Sequence, residues 1–263
     1  MLKKLLKYEL KNIYKFLIIF YSLSLFFGIL TRIFLSIENS LMMEIIGQVC
    51  SGAAISMMFS ILINNLMRSW VRFKQNVYGD ESYLTHTLPL DKKTIYLSKI
   101  LTSIITLFTS ILVIGLTLFI AYYSKENIEL VKNLLLPLAD IFNSTMFKIL
   151  IAILLVLFLE IANVLQSGYT GIILGHRKNN NKIGFSVLFG FITYIISQLF
   201  AVLIMFIISL FNKDMMNLFI TNELINVEMI KYIIYIAIII YTLNLIIIYF
   251  VNIKLFKKGV NVE

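Results

Sequence analysis

A chain of 263 residues that is 60% hydrophobic and only 14% charged, with a mean hydropathy of +0.91, lies far from the soluble balance, in which roughly a quarter of residues carry charge. Apolar runs of about twenty residues, enough to cross a bilayer core of about 30 Å, recur along it and exclude an ordinary water-soluble globule. The net charge of +9 does not point to nucleic acid, because the basic residues gather at the ends of the apolar runs, where topology and anionic lipid account for them.

Inside lipid every backbone polar group must be satisfied within its own segment or in a closed barrel, and these runs lack the period-two alternation of barrel strands. The expected fold is therefore an all-α polytopic membrane protein, a single transmembrane domain over residues 1–263 with six spans. Lys3, Lys7, Lys11 and Lys15 recur every four residues, with Leu2, Leu6, Leu10, Ile13 and Leu17 on another face. This spacing predicts an amphipathic helix over residues 1–15 lying in the interface before the chain turns inward. An ordinary basic flank of a first span would read the same way. No small-x-small cleavage site follows the apolar run, so it is read as a span rather than a leader.

The first span covers about 16–35, with Arg32 near its outer end, either snorkelling to the headgroups or serving the pathway. A short acidic loop leads to the second span, 45–67, where Gly47, Ser51 and Ala54 share a face that permits close helix approach. Residues 68–99 form the long polar interruption. It holds six basic residues, three acids, His86, Gly79 and Pro89. Here the helix is expected to run on into the cytosol until Gly79 stops it. Asp80 then caps a short helix through about Thr87, Leu88-Pro89 breaks it, and Asp91 caps the lead into the third span, 100–124. Tyr83, Leu84, Thr87 and Leu88 would share one face of the short helix.

The stretch from Lys125 to Lys148, which contains Pro137, reads as a loop lying on the surface or dipping into it. The fourth span, 149–175, carries Glu160 near its middle and ends in Gly168, Gly171 and Gly175. After the basic turn at 176–182 come the fifth span, 183–211, an outer and re-entrant segment, 212–231, and the sixth span, 232–251. With both termini in the cytosol, inner segments hold five, six, three and three of the basic residues in chain order, 17 of the 23, while eight acids fall outside and five inside. That asymmetry sets the orientation.

Catalytic signatures are missing. There is no G-x-x-x-x-G-K-[ST] loop, no HExxH pattern around His86 or His176 and no G-x-S-x-G elbow, and the single cysteine, Cys50, offers neither a disulfide nor a metal cluster. No enzyme and no metal site are expected. Glu160 is the one acid at membrane depth, where an ionised carboxylate is costly. It is therefore protonated, paired or turned to a watery cavity. Asn163, Ser167 and Gly171 follow it on about the same face, a polar seam directed at other helices.

The run YGDESYLTHTLPLDKKTIYLSKIL resembles the loop between the second and third spans of the permease subunits of bacterial ABC-2 type ABC transporters, and the layout of six spans behind a basic amphipathic helix is similar to theirs. The resemblance implies a coupling helix, Gly79 to Pro89 with Asp80, Glu81, Tyr83, Leu84, Thr85, His86 and Leu88, that docks on a separate ABC ATPase. It also implies a connecting helix at Lys3 to Lys15, a second permease copy or related permease, and a place in the bacterial plasma membrane. ATP and Mg would belong to the partner ATPase, and the cargo would be a peptide, drug, lipid or glycan. A proton-coupled transporter using Glu160, and a non-transporting anchor or sensor, are the competing readings.

Overall fold

The computed structural model describes residues 2–37, 40–87, 89–211, 215–216, 219 and 227–258. The described chain is helical, with no strand among these residues: α1 Leu2–Leu35, α2 Leu41–Val77, α3 Ser82–Thr87, α4 Lys92–Tyr122, α5 Lys125–Ile141, α6 Met146–Gly175, α7 Lys182–Ser209 and α8 Val227–Lys257. Six of them, all but α3 and α5, are long and apolar enough to cross a membrane. The chain is thus a multi-pass membrane protein. It divides into two compact units on either side of the Ile128–Glu129 bond.

In the first unit α1, α2 and α4 pack on one another, and α3 sits against α2. The seams are polar and the outward faces apolar, the inverse of a soluble bundle. Tyr21 and Ser110 meet at 2.8 Å, Ser24 donates to Thr117 at 3.1 Å, and Asn65 donates to Ser110 at 2.8 Å. Meanwhile Ile18, Phe59 and Phe119 lie exposed. Lipid leaves no hydrophobic drive between helices, so small side chains and interhelical hydrogen bonds hold them together.

In the second unit α6 packs against α7 and α8. Gly171 and Gly175 face α7 so closely that an added Cβ would stand 2.6 Å from the Cα of Gly190 and of Ser186 respectively. Only glycine permits that approach. The turn into α7 is closed by Asn181, which adopts a left-handed conformation (φ 48°) and accepts a bond from the Gly184 amide at 3.2 Å. Asparagine tolerates that region better than most residues.

Three expectations are revised. The interfacial helix at 1–15 is not separate: α1 is continuous for 34 residues, because neither proline nor an internal polar break interrupts it. At 1.5 Å per residue it is about 51 Å long, so roughly a dozen N-terminal residues project beyond a 30 Å hydrocarbon layer. The stretch read as a loop after the third span is mostly helix α5. Ser124 Oγ accepts the Asn127 amide at 3.1 Å and starts it, and Pro137 is carried inside it, where the exposed backbone carbonyl that loses its partner can meet water. Asp80 does not cap α3, which begins after Glu81. Asp91 holds the N-cap position of α4 but makes no side-chain capping bond. The re-entrant segment expected at 212–231 lies largely outside the described residues, as does Leu88.

Candidate functional site

Helix α2 runs on to Val77; the Tyr78 amide makes the last regular rung, to the Lys74 carbonyl, and the Gly79 amide leaves the ladder by donating to the same oxygen. The chain then turns sharply, with Ser82 N–H on the Gly79 carbonyl at 2.9 Å, and α3 follows for six residues. Tyr83 and Leu84 are 76% and 67% exposed, a bare apolar pair on a helix bounded by two turns. Thr85 bonds back to the Glu81 carbonyl and His86 Nε2 lies 3.1 Å from the Val77 carbonyl oxygen. Asp80 and Pro89 are exposed.

Beneath this turn lies a cluster of charges drawn from four parts of the first unit. Glu81 accepts from Arg72 Nη1 at 2.7 Å and from Asn76 Nδ2. Arg72 Nε stands 3.4 Å from Glu9, and Glu9 is paired to Lys99 Nζ at 2.7 Å. Lys99 also donates to Asn76 Oδ1. Glu9 and Lys99 are each only 6% exposed. Two acids and two bases therefore balance, joined through one amide, and they tie α1, α2, the turn before α3 and α4 to one another. Charges withdrawn from water this far persist only when each has such partners.

An aromatic floor backs the cluster, with Phe73 edge-on to Tyr78 and Tyr96 at 6.3 and 6.1 Å between ring centroids. One turn lower on α2, Arg68 donates to Asn12 at 2.8 Å and stands over the Phe16 ring. Helix α3 is consequently anchored to structure that reaches back into three membrane helices.

The second site is in the other unit. Glu160 Oε1 on α6 accepts from Tyr194 Oη and Gln198 Nε2 on α7, each at 2.8 Å, while its Oε2 is buried without a hydrogen-bond partner among the described residues. Asn163 is fully buried and donates to the Tyr241 carbonyl at 3.2 Å. Gln166 and Ser167 continue the buried seam. The carboxyl group thus has two donors on one oxygen and none on the other. Among the described residues no ion pair reaches it.

The predicted residues thus separate. Glu81, Thr85 and His86 join the turn beside α3, while Tyr83 and Leu84 point away from it. Glu160 and Asn163 come together on α6. Arg32 is exposed near the end of α1 and makes no ion pair among the described residues. Lys3, Lys7, Lys11 and Lys15 are all exposed on the projecting part of α1. Sequence reasoning missed Glu9, Arg72, Asn76 and Lys99. Glu9 carried a signal, as the one acid within the lysine-rich start. Among the described residues no group of His, Cys, Asp and Glu could hold a metal ion. No family model, curated protein or solved structure matches the chain.

Proposed function

We propose that this chain is the transmembrane subunit of an ATP-driven exporter of the ABC-2 permease type, moved through α3 by a separate ATPase that supplies the nucleotide site and its Mg. In this reading both termini and α3 face the cytosol of a bacterial plasma membrane, and two permease chains enclose the path of a peptide, drug or lipid. The observation that carries it is the linkage of Glu81 through Arg72 and Asn76 to Glu9 and Lys99. That linkage joins an exposed apolar pair to the ends of three membrane helices, which is what a lever between a motor and a pore requires.

The test is purification of the chain from its native membranes, followed by measurement of ATP hydrolysis in the eluate. Hydrolysis that co-elutes with the wild type and is lost when Tyr83→Glu and Leu84→Glu are combined supports the reading. Hydrolysis that co-elutes undiminished with the double variant defeats it.

The hydrogen-bonded Glu160 favours a second reading, a transporter driven by a proton gradient. Glu160→Gln would then abolish transport in vesicles that contain no ATP. Transport that needs ATP and survives this substitution returns the choice to the first. A bare anchor or sensor subunit would move no solute under either condition.

A further inference from the structure

The projecting part of α1 and the end of α2 border an open recess of about 270 Å³ lined by Tyr8, Lys11, Asn12, Lys15 and Arg72. Every one of these side chains can donate a hydrogen bond, and none is an acid. Asn12 has its carbonyl oxygen occupied by Arg68, so its amide nitrogen is what it offers to a ligand. The surrounding charge is not balanced. Arg72 is answered by Glu9 and Glu81, and Lys99 by Glu9, whereas Lys11, Lys15 and Arg68 form no ion pair among the described residues.

Position adds to chemistry. Counting back about twenty residues from the far end of α1 puts the hydrocarbon boundary near Phe16, so the recess lies at the level of the headgroups. Immediately beyond it Phe16, Ile18 and Ile19 are exposed, an apolar strip running from the recess into the bilayer. A ligand that is anionic at one end and apolar at the other fits both. Inorganic phosphate would use only the first.

We propose that this recess is a binding site for the headgroup of an anionic phospholipid, its phosphodiester held by the unpaired Lys11 and Lys15 and its acyl chains laid along α1. The site is independent of any ATPase. It also lies against Arg72, so an occupying lipid borders the charge cluster under α3.

The experiment uses the full chain in neutral detergent, with native mass spectrometry to count bound phosphatidylglycerol against phosphatidylcholine, and with inorganic phosphate as a competitor. One retained phosphatidylglycerol per chain is expected, with no comparable retention of phosphatidylcholine and no displacement by phosphate. Each basic residue at a membrane surface contributes about a fivefold preference for anionic lipid, so Lys11→Gln with Lys15→Gln should weaken binding about thirtyfold. Lys3→Gln with Lys7→Gln, on the same helix but outside the recess, should leave it within about twofold. An equal loss in both double variants, no loss in the first, or displacement by phosphate overturns the proposal.

Discussion

Glu9 and Lys99 meet at 2.7 Å with both side chains less than a tenth exposed, a carboxylate near the start of the chain locked to an ammonium at the entry of α4. Removing one member of such a buried pair leaves the other uncompensated and costs about 3–5 kcal/mol, whereas replacing both by apolar residues of similar size is often close to neutral. Glu9→Leu and Lys99→Met should each lower the denaturation midpoint of the detergent-solubilised protein strongly. The combined variant should recover most of that loss, because Arg72 keeps Glu81 as its partner. Additive losses in the double-mutant cycle would show that the two charges do not act as a unit.

Glu81 stands differently. Its side chain is 44% exposed, so water screens its pair with Arg72, and Glu81→Gln should cost no more than about 1 kcal/mol of global stability. Its effect should be local, since it releases the turn that carries α3. Amide hydrogen exchange is expected to quicken across residues 79–87 and to remain unchanged in the middle of α4. Uniform quickening along α2 and α4 would mean that the pair supports the whole unit rather than the turn.

The six spans were legible because a soluble fold has little room for repeated apolar runs of bilayer length. The course of α1 was not, since a lysine every fourth residue opposite leucines fits a helix on the membrane surface and one standing out of it equally well. Proline at 137 and the polar residues around it read as a loop, yet a proline in an exposed helix need only forfeit a bond that water replaces. Glu160 stood out as a lone acid in an apolar run. Its donors Tyr194 and Gln198 look like ordinary span residues until α7 is set beside α6. Glu9, Arg72 and Lys99 are far apart in sequence, and neither composition nor periodicity says which distant charges will meet. The turn at Gly79 was visible for the opposite reason, being local.

Glycines separate by what surrounds them. Gly171 and Gly175 admit no Cβ without displacing the α7 backbone, while a Cβ on Gly52 or Gly115 meets nothing within 4 Å. Gly171→Ala should therefore destabilise by about 1–3 kcal/mol through overpacking. Gly52→Ala should stabilise by about 0.5–1 kcal/mol, because alanine loses less backbone freedom in a helix. Thermal or denaturant unfolding in one detergent would rank the two. A stabilising Gly171→Ala would contradict the close α6–α7 contact.

The proposed orientation rests on charge alone and can be tested with a single thiol. Cys50 is the only cysteine in the chain and is buried, so Cys50→Ser gives a background to which one reporter is added. Asp80 and Glu126 are both exposed, the first at the turn before α3 and the second at the start of α5. In the proposed orientation 17 of the 23 basic residues fall on the cytosolic side, so the positive-inside preference predicts Asp80 in the cytosol and Glu126 outside. A membrane-impermeant maleimide applied to intact cells should label Glu126→Cys at once, and Asp80→Cys only after the membrane is opened. The reverse pattern would set α3 beyond the reach of any cytosolic ATPase, and the lever assigned to it would have nothing to pull it.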